Sequence, residues 1–356
     1  MKIIHTADLH IGSSFKELPE KARQIRKNEL LKSFQDLVDY AKSNDIKIIL
    51  LSGDIFDSDK VNKSDKEFFY NIISNNPNID FLYLRGNHDS KSLINRNDIP
   101  NLKLFSKDWK EYTYDNVVIS GIELDESNHF SLYTSLNLKK ENFNIVMIHG
   151  QIVSSITNPK YDIKIEKFKN KFIDYIALGH VHSYSQDALD NRTTYAYSGC
   201  LQGRGFDETG EKGFIEIDTT TKTYTFKKFA KREIYKMEID ITSTNSEYEA
   251  YMLVKEKLSP LSFGAIIQLI LKGKVEYDFS NLKLRIKEEE KEKFLHFEIK
   301  MNVIKKVDYQ DYKDDISLRG EVIREILKQD FDEETKNEIL ANCLKLLDGE
   351  EIDLWD

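Results

Sequence analysis

Apolar residues along the first 230 positions follow two alternating rhythms. Short runs rich in β-branched and aromatic residues, KIIHTAD (2–8), IKIILLSGD (46–54), IDFLYLRGNHD (79–89), VVISGIEL (117–124), NIVMIHG (144–150) and IDYIALGH (173–180), read as strands. Stretches of helical period lie between them. In RQIRKNELLKSFQDLVDYAKS (23–43), Ile25, Leu30, Leu31, Phe34, Leu37, Val38 and Ala41 fall near one face. This alternation predicts an α/β domain whose ligands bind beyond the carboxyl edge of its sheet. From TYAYSG (194–199) the rhythm turns to hairpins, through KGFIEID and TYTFKKFA, and predicts a second, more antiparallel sheet packed on the first.

Near residue 231 the pattern resets. YKMEIDIT, SEYEAYMLVKEKLS, AIIQLILKGKVEY, FSNLKLRIKEEEKEKFLHF and EIKMNVIKK read as strand, helix, strand, helix and strand. Two further helices are expected at about 316–328 and 332–348, the second with Asp332 as its N-cap and Gly349 at its stop. The expected domains are therefore 1–230, a small α+β module at 231–307, and a helical tail at 308–356.

Charge changes this picture in one respect. The chain carries a net charge of −9, which by itself disfavours a phosphate-backbone partner. Residues 308–356, however, hold 6 basic and 16 acidic residues, whereas the preceding part holds 46 and 45. A neutral body with an acidic tail leaves polyanion binding open. Two cysteines, Cys200 and Cys343, are too few for a disulfide scaffold and fit a reducing compartment. No apolar run approaches the about 20 residues that span a bilayer, and no signal peptide opens the chain, so a cytoplasmic protein without membrane association is expected.

Candidate chemistry gathers where the strands end. In order come Asp8 and His10 in TADLHIG, Asp54 in SGDIFD, Asn87 and His88 in RGNHD, His149 in MIHG, and His180 and His182 in GHVH. Imidazoles, carboxylates and an amide oxygen without thiolates suit Mn²⁺, Fe or Zn²⁺ better than Ca²⁺. They exceed what one ion needs. Two ions with one bridging carboxylate would use them, and such a pair forms the usual clamp for in-line attack at phosphorus. In Asp8-x-His10 and His180-x-His182 an extended backbone would put both side chains on one side. Each pair alone is more often a satisfied surface or core pair than a ligand pair. Five blocks in order at strand ends reverse that judgement.

The series D-x-H, G-D, G-N-H-D, H, G-H-x-H resembles the calcineurin-like metallophosphoesterases over residues 1–230. TADLHIG, SGDIFD and the α+β module resemble the SbcD-type DNA repair exonucleases, and SGCLQGRGFDETGEKG (198–213) resembles their YhaO-like branch. The resemblance implies a four-layer α/β/β/α sandwich, a DNA-capping role for the module, and two ions, most often Mn²⁺. Asp8, His10 and His182 would hold one ion, Asn87, His149 and His180 the other, with Asp54 bridging. His88 would sit over the scissile phosphate and Asp89 would orient it. Asp57 stands where many archaeal and eukaryotic relatives carry a histidine, which leaves open a second proton donor to the leaving group. A coiled-coil ATPase of SbcC type as partner of the tail, and homodimerisation, are further implications.

Other residues admit plainer explanations. Lys60, Lys63, Lys66, Lys91 and Arg96 could line a phosphate-backbone channel or form a solvated surface. Arg204 and Phe206, among Gly203, Gly205, Gly210 and Gly213, could meet an unpaired nucleotide or simply form a glycine-rich hairpin turn. His5, His129 and His296 match none of the blocks, and His5 is expected to pack in or beside the first strand. The leading expectation is a Mn²⁺-dependent exonuclease, with endonuclease activity also in scope. The alternatives are a phosphoesterase acting on a small nucleotide or phosphoprotein, and a non-catalytic structural subunit.

Overall fold

A computed structural model describes residues 1–58, 61–89, 98–306 and 315–347. The first part of the chain contains β1 (Lys2–Thr6), α1 (Glu20–Ser43), β2 (Ile48–Ser52), α2 (Lys63–Ser74), β3 (Asp80–Leu84), β4 (Leu102–Leu104), β5 (Lys110–Tyr114) and β6 (Val117–Gly121). There follow β7 (Phe143–His149), β8 (Gln151–Ile152), β9 (Asp162–Ile163), β10 (Tyr175–Gly179), β11 (Ser185–Ala188), β12 (Thr194–Tyr197), β13 (Gly213–Asp218) and β14 (Thr223–Lys228). The later elements are β15 (Ile234–Asp240), α3 (Glu247–Leu258), β16 (Ile266–Val275), α4 (Leu282–Glu290), β17 (His296–Lys305), α5 (Leu318–Leu327) and α6 (Glu333–Leu347).

The chain divides into two compact units. The first holds Met1–Tyr235 with Gly264–Ile266, and the second holds Lys236–Phe263 and the described residues from Ile267 onward. The first unit contains two six-stranded mixed sheets, ordered β14-β13-β1-β2-β3-β4 and β11-β12-β10-β7-β6-β5. Strands β1 to β4 run parallel, as do β6, β7, β10 and β12, so each sheet has four parallel strands with antiparallel neighbours at one or both edges. This corrects one expectation. The hairpin β13–β14 extends the first sheet beside β1, and the second sheet forms around β7 and β10, two runs that were read as members of the first. Their all-buried sequences fit central parallel strands of either sheet, so periodicity could not sort them.

Three apolar layers hold these sheets. Ile3, Leu50 and Leu82 meet Ile119, Met147 and Ala177 between them. Phe34, Leu37 and Val38 of α1 and Phe69 of α2 cover the outer face of the first sheet at Ile4, Ile49 and Phe81. The outer face of the second sheet, with Val146, Ile148 and Ile176, is covered by Leu132, Tyr133 and Phe168, which lie on turns and one short 3-10 helix (Ile165–Phe168). The fourth layer of the α/β/β/α sandwich is thus built largely of loops.

In the second unit, β15, β16 and β17 form a three-stranded sheet in that order, and α3, α4, α5 and α6 supply its helices. Asp332 caps α6 by accepting the Thr335 amide at 2.9 Å. Gly349 and the expected boundary at 307–308 lie outside the described residues. Among the described residues no helix is long and apolar enough to cross a membrane.

Candidate metal centre

Of the central parallel strands, β1, β2, β3 and β10 stop short of the polar residues they deliver, whereas β7 ends on His149 itself. After β1 and β2 the chain turns, and Asp8, His10 and Asp54 adopt φ of 52°, 44° and 51°; His180, directly after β10, has φ 101°. Left-handed conformations are unfavourable for residues bearing a Cβ and persist where the surroundings over-determine them, commonly at functional sites. Here adjoining loops lock them: the Asp8 amide donates to Gly53 O at 2.9 Å and the His10 amide to Asp54 O at 3.0 Å. A turn, and not alternation along an extended strand, therefore brings Asp8 and His10 together. Close approach also explains two glycines. A Cβ on Gly53, itself at φ +94°, would lie 2.2 Å from His149 Nδ1, and one on Gly86 would lie 2.2 Å from Asp54 Oδ1.

Two groups of ligand atoms result. Asp8, His10 and His182 each present one atom, all within 4.8 Å of one another, and Asp54, His149 and His180 do the same. His10 Nε2 and His182 Nε2 are 3.2 Å apart. Asp54 Oδ2 lies 3.3 Å from His149 Nε2 and 3.9 Å from His10 Nε2, so this carboxylate faces both groups. Asn87 Oδ1 is 3.1 Å from both His149 Nε2 and His180 Nδ1 and adds an amide oxygen to the second group. The two histidines of GHVH part company, His180 toward Asn87 and His182 toward His10.

Nitrogens on the far side of two rings are anchored on oxygen, and a third ring faces one. His149 Nδ1 donates to Ser52 O at 2.9 Å, His182 Nδ1 to Glu208 Oε1 at 2.7 Å, and His10 Nδ1 faces Asp57 Oδ1 at 3.3 Å. A ring fixed at Nδ1 turns its Nε2 lone pair inward, the usual arrangement around a bound metal. Two such lone pairs 3.2 Å apart repel unless a cation or proton sits between them. Among the described residues the donors are nitrogen and oxygen only: burial pushes the nearby Cys200 thiol up to about 12, and its sulfur faces Glu208 and the His182 carbonyl. The residues present fit two borderline divalent ions.

Charge within the cluster points the same way. Burial raises the Asp8 carboxyl to about 7, with the His149 and His182 rings opposing. For Asp54, burial acts upward too, but the His149 and His10 imidazoles and the His88 amide outweigh it and hold the carboxyl below its usual range. Burial would depress His149, yet Asp54 outweighs it and lifts the imidazole to about 9. A proton held between a carboxylate and an imidazole occupies the two atoms a divalent cation would take, so loading a metal releases a proton.

The neighbouring residues depart from expectation in two places. Asp89 does not orient His88: its carboxylate accepts the amides of Phe56 (2.9 Å), Gly86 (3.0 Å) and Ile55 (3.3 Å), tying the loop after β2 to the loop after β3. Those buried amides would otherwise lack partners. His88 is exposed, and its Nδ1 donates to the Asp57 backbone oxygen at 2.9 Å, which turns Nε2 outward. Asp57 accepts from Ser13 Oγ (2.8 Å) and Arg204 Nη1 (3.0 Å). Burial raises its pKa, but His10 and these partners bring it below the usual carboxylate range. Lys63 and Lys66 lie in the first turn of α2, while Lys60, Lys91 and Arg96 lie outside the described residues. Glu208 was not singled out from the sequence; its one signal was a place in the loop of Arg204. A cleft of about 520 Å³ opens beside Asn87 and His149, walled in part by Arg85, Lys107, Lys160 and Tyr161.

Known proteins resemble this chain in sequence. Residues 1–184 match the family description "Calcineurin-like phosphoesterase". The chain is 24% identical over 300 residues to the uncharacterized metallophosphoesterase YhaO of Bacillus subtilis, covering 77% of this chain and 72% of that protein. It is 26% identical over 229 residues to the DNA double-strand break repair protein Mre11 of Methanosarcina acetivorans, covering 60% of this chain but 36% of that protein. Against the Mre11 of Nanoarchaeum equitans it is 24% identical over 366 residues, covering 93% and 92%.

Proposed function

We infer that this chain, which belongs to the calcineurin-like phosphoesterase family, is a two-metal phosphodiesterase that cleaves DNA. The observation that carries the reading is the pair of three-residue groups, with Asp54 of the second lying within 3.9 Å of His10 of the first and 3.3 Å of His149. Asp8, His10 and His182 would hold one ion and Asn87, His149 and His180 the other, with Asp54 between them; Mn²⁺ is our choice for both. Bound there, the ions would acidify water and polarise the phosphoryl oxygens. The protein itself fixes the rings at Nδ1 and holds the loops through Asp89. His88, anchored at Nδ1 with Nε2 directed outward, donates a hydrogen bond or proton to the phosphate or its leaving oxygen.

DNA as substrate is supported by the likeness to Mre11 proteins, one of them along 93% of this chain, and by the second unit, which catalysis on a small phosphoester would not need. We assign exonuclease activity first. The second unit would cap the DNA, and α5 and α6, which expose Leu318 and Leu346, would dock on a coiled-coil ATPase. The deciding assay compares turnover of a DNA duplex, a cyclic nucleotide and an aryl phosphate with Mn²⁺ and with Mg²⁺. Preferential cleavage of the duplex with Mn²⁺ is expected. Turnover of the small substrates alone would replace DNA with a small-phosphoester reading, and no turnover of any of them would overturn the catalytic reading.

A further inference from the structure

The two histidines that face each other across the first metal position are backed by different carboxylates, and one side chain ties those carboxylates together. His182 Nδ1 donates to Glu208 Oε1 at 2.7 Å, and His10 Nδ1 faces Asp57 Oδ1 at 3.3 Å. Arg204 reaches both. Its Nη2 donates to Glu208 Oε1 at 2.5 Å, its Nε to the same carboxylate at 3.0 and 3.2 Å, and its Nη1 to Asp57 Oδ1 at 3.0 Å and Ser13 Oγ at 3.4 Å. The Arg204 amide donates to Glu208 Oε2 at 2.8 Å and closes the turn. Nη2 also comes within 3.1 Å of His182 Nδ1. A guanidinium has no acceptor, so that approach reflects two donors sharing Glu208 Oε1. The loop holds His182 by its backbone as well, since the buried Lys212 ammonium donates to the His182 carbonyl at 2.8 Å.

We propose that Glu208 and Arg204 are positioning residues for the Asp8–His10–His182 metal position: Glu208 fixes the His182 ring, and Arg204 locks the two carboxylates that orient His182 and His10. This rests on the reading that those three residues hold an ion. Arg204 is thereby committed to the metal centre and not to an unpaired nucleotide. Among the described residues the second position has no such brace: His149 is backed by a backbone carbonyl. Losing a carboxylate behind a metal-bound histidine weakens metal binding about 10- to 100-fold.

Mn²⁺ titration of the full chain by calorimetry tests this, with circular dichroism confirming the fold of each variant. Two ions are expected on the wild type; none would sink the metal reading itself and leave the brace without an object. In a His180→Ala background, which isolates the braced position, Glu208→Gln should weaken the remaining ion about 10- to 100-fold. Arg204→Met should weaken it to a similar degree, and Glu208→Asp should recover part of the loss. In a His182→Ala background, Glu208→Gln should change nothing, because Glu208 acts through the missing ring. Equal losses in both backgrounds would mark a general structural role and overturn the proposal. Tighter binding in Arg204→Met would overturn the clamp, showing that its positive charge opposes the ion.

Discussion

The His88 ring stands beside the metal-facing residues, its centroid 5.0 Å from that of His10, while its backbone amide donates to Asp54 Oδ1 at 2.8 Å. Removing the ring should leave that amide, and so the metal groups, in place. For His88→Ala we expect kcat for DNA cleavage to fall about 10²- to 10⁴-fold while two Mn²⁺ still bind, measured by single-turnover kinetics and calorimetry. A second residue-scale prediction concerns His5, fully buried between Tyr175 Oη (2.9 Å) and the Leu178 carbonyl (3.1 Å). Burial lowers its pKa from 6.5 to about 3, the carbonyl opposing. Below pH 6.5 the unfolded chain takes up a proton that the folded chain refuses, so the His5 contribution is whole above pH 6.5. It is lost as pH falls toward 3, by up to about 1.4 kcal/mol per pH unit. Urea unfolding at pH 7.5 and pH 5 should show the stability gap between wild type and His5→Asn narrowing at the lower pH; a constant gap would refute the assignment.

At the scale of elements, the strands and α1 were legible because burial imposes a periodicity. The expected helix at 23–43 is α1 at Glu20–Ser43, and every expected strand of the first unit has its counterpart. What could not be read was where each strand stops: Asp8, Asp54 and Asn87 belong to strand-like runs, yet they sit in loops beyond the strands, and at Asp8 and Asp54 the left-handed backbone is held by hydrogen bonds between those loops. The five blocks named the residues that the fold brings together, whereas Glu208 and Asp57 found their partners through contacts no local spacing announces. Leu37 of α1, with no exposed surface, packs into the layer over the first sheet. Leu37→Ala should cost about 2–5 kcal/mol in urea unfolding. Gly86→Ala should lose both stability, read by urea unfolding, and Mn²⁺, since its Cβ would lie 2.2 Å from Asp54 Oδ1 and 2.5 Å from the Asp54 backbone nitrogen; unchanged metal stoichiometry in that variant would contradict the shared role of Asp54.

Across the whole molecule, charge is segregated along the sequence. The acidic tail carries the exposed Glu321, Glu325 and Asp330, and their carboxylates repel a nucleic-acid backbone while suiting a basic protein surface. Replacing them with Gln, Gln and Asn should tighten DNA binding at low ionic strength, with the gain fading toward 1 M salt as screening shortens the reach of charge to about 3 Å. Filter binding across a salt series measures it. The metal groups impose an order of a different kind. His10 and His182 are 172 positions apart in sequence, and the carboxylate behind His182 comes 26 positions later still. During translation, then, no nascent chain can assemble the Asp8–His10–His182 group together with the carboxylate behind it until Glu208 has left the ribosome. A prematurely terminated product that ends before that residue would be released with His182 lacking the carboxylate that fixes its ring.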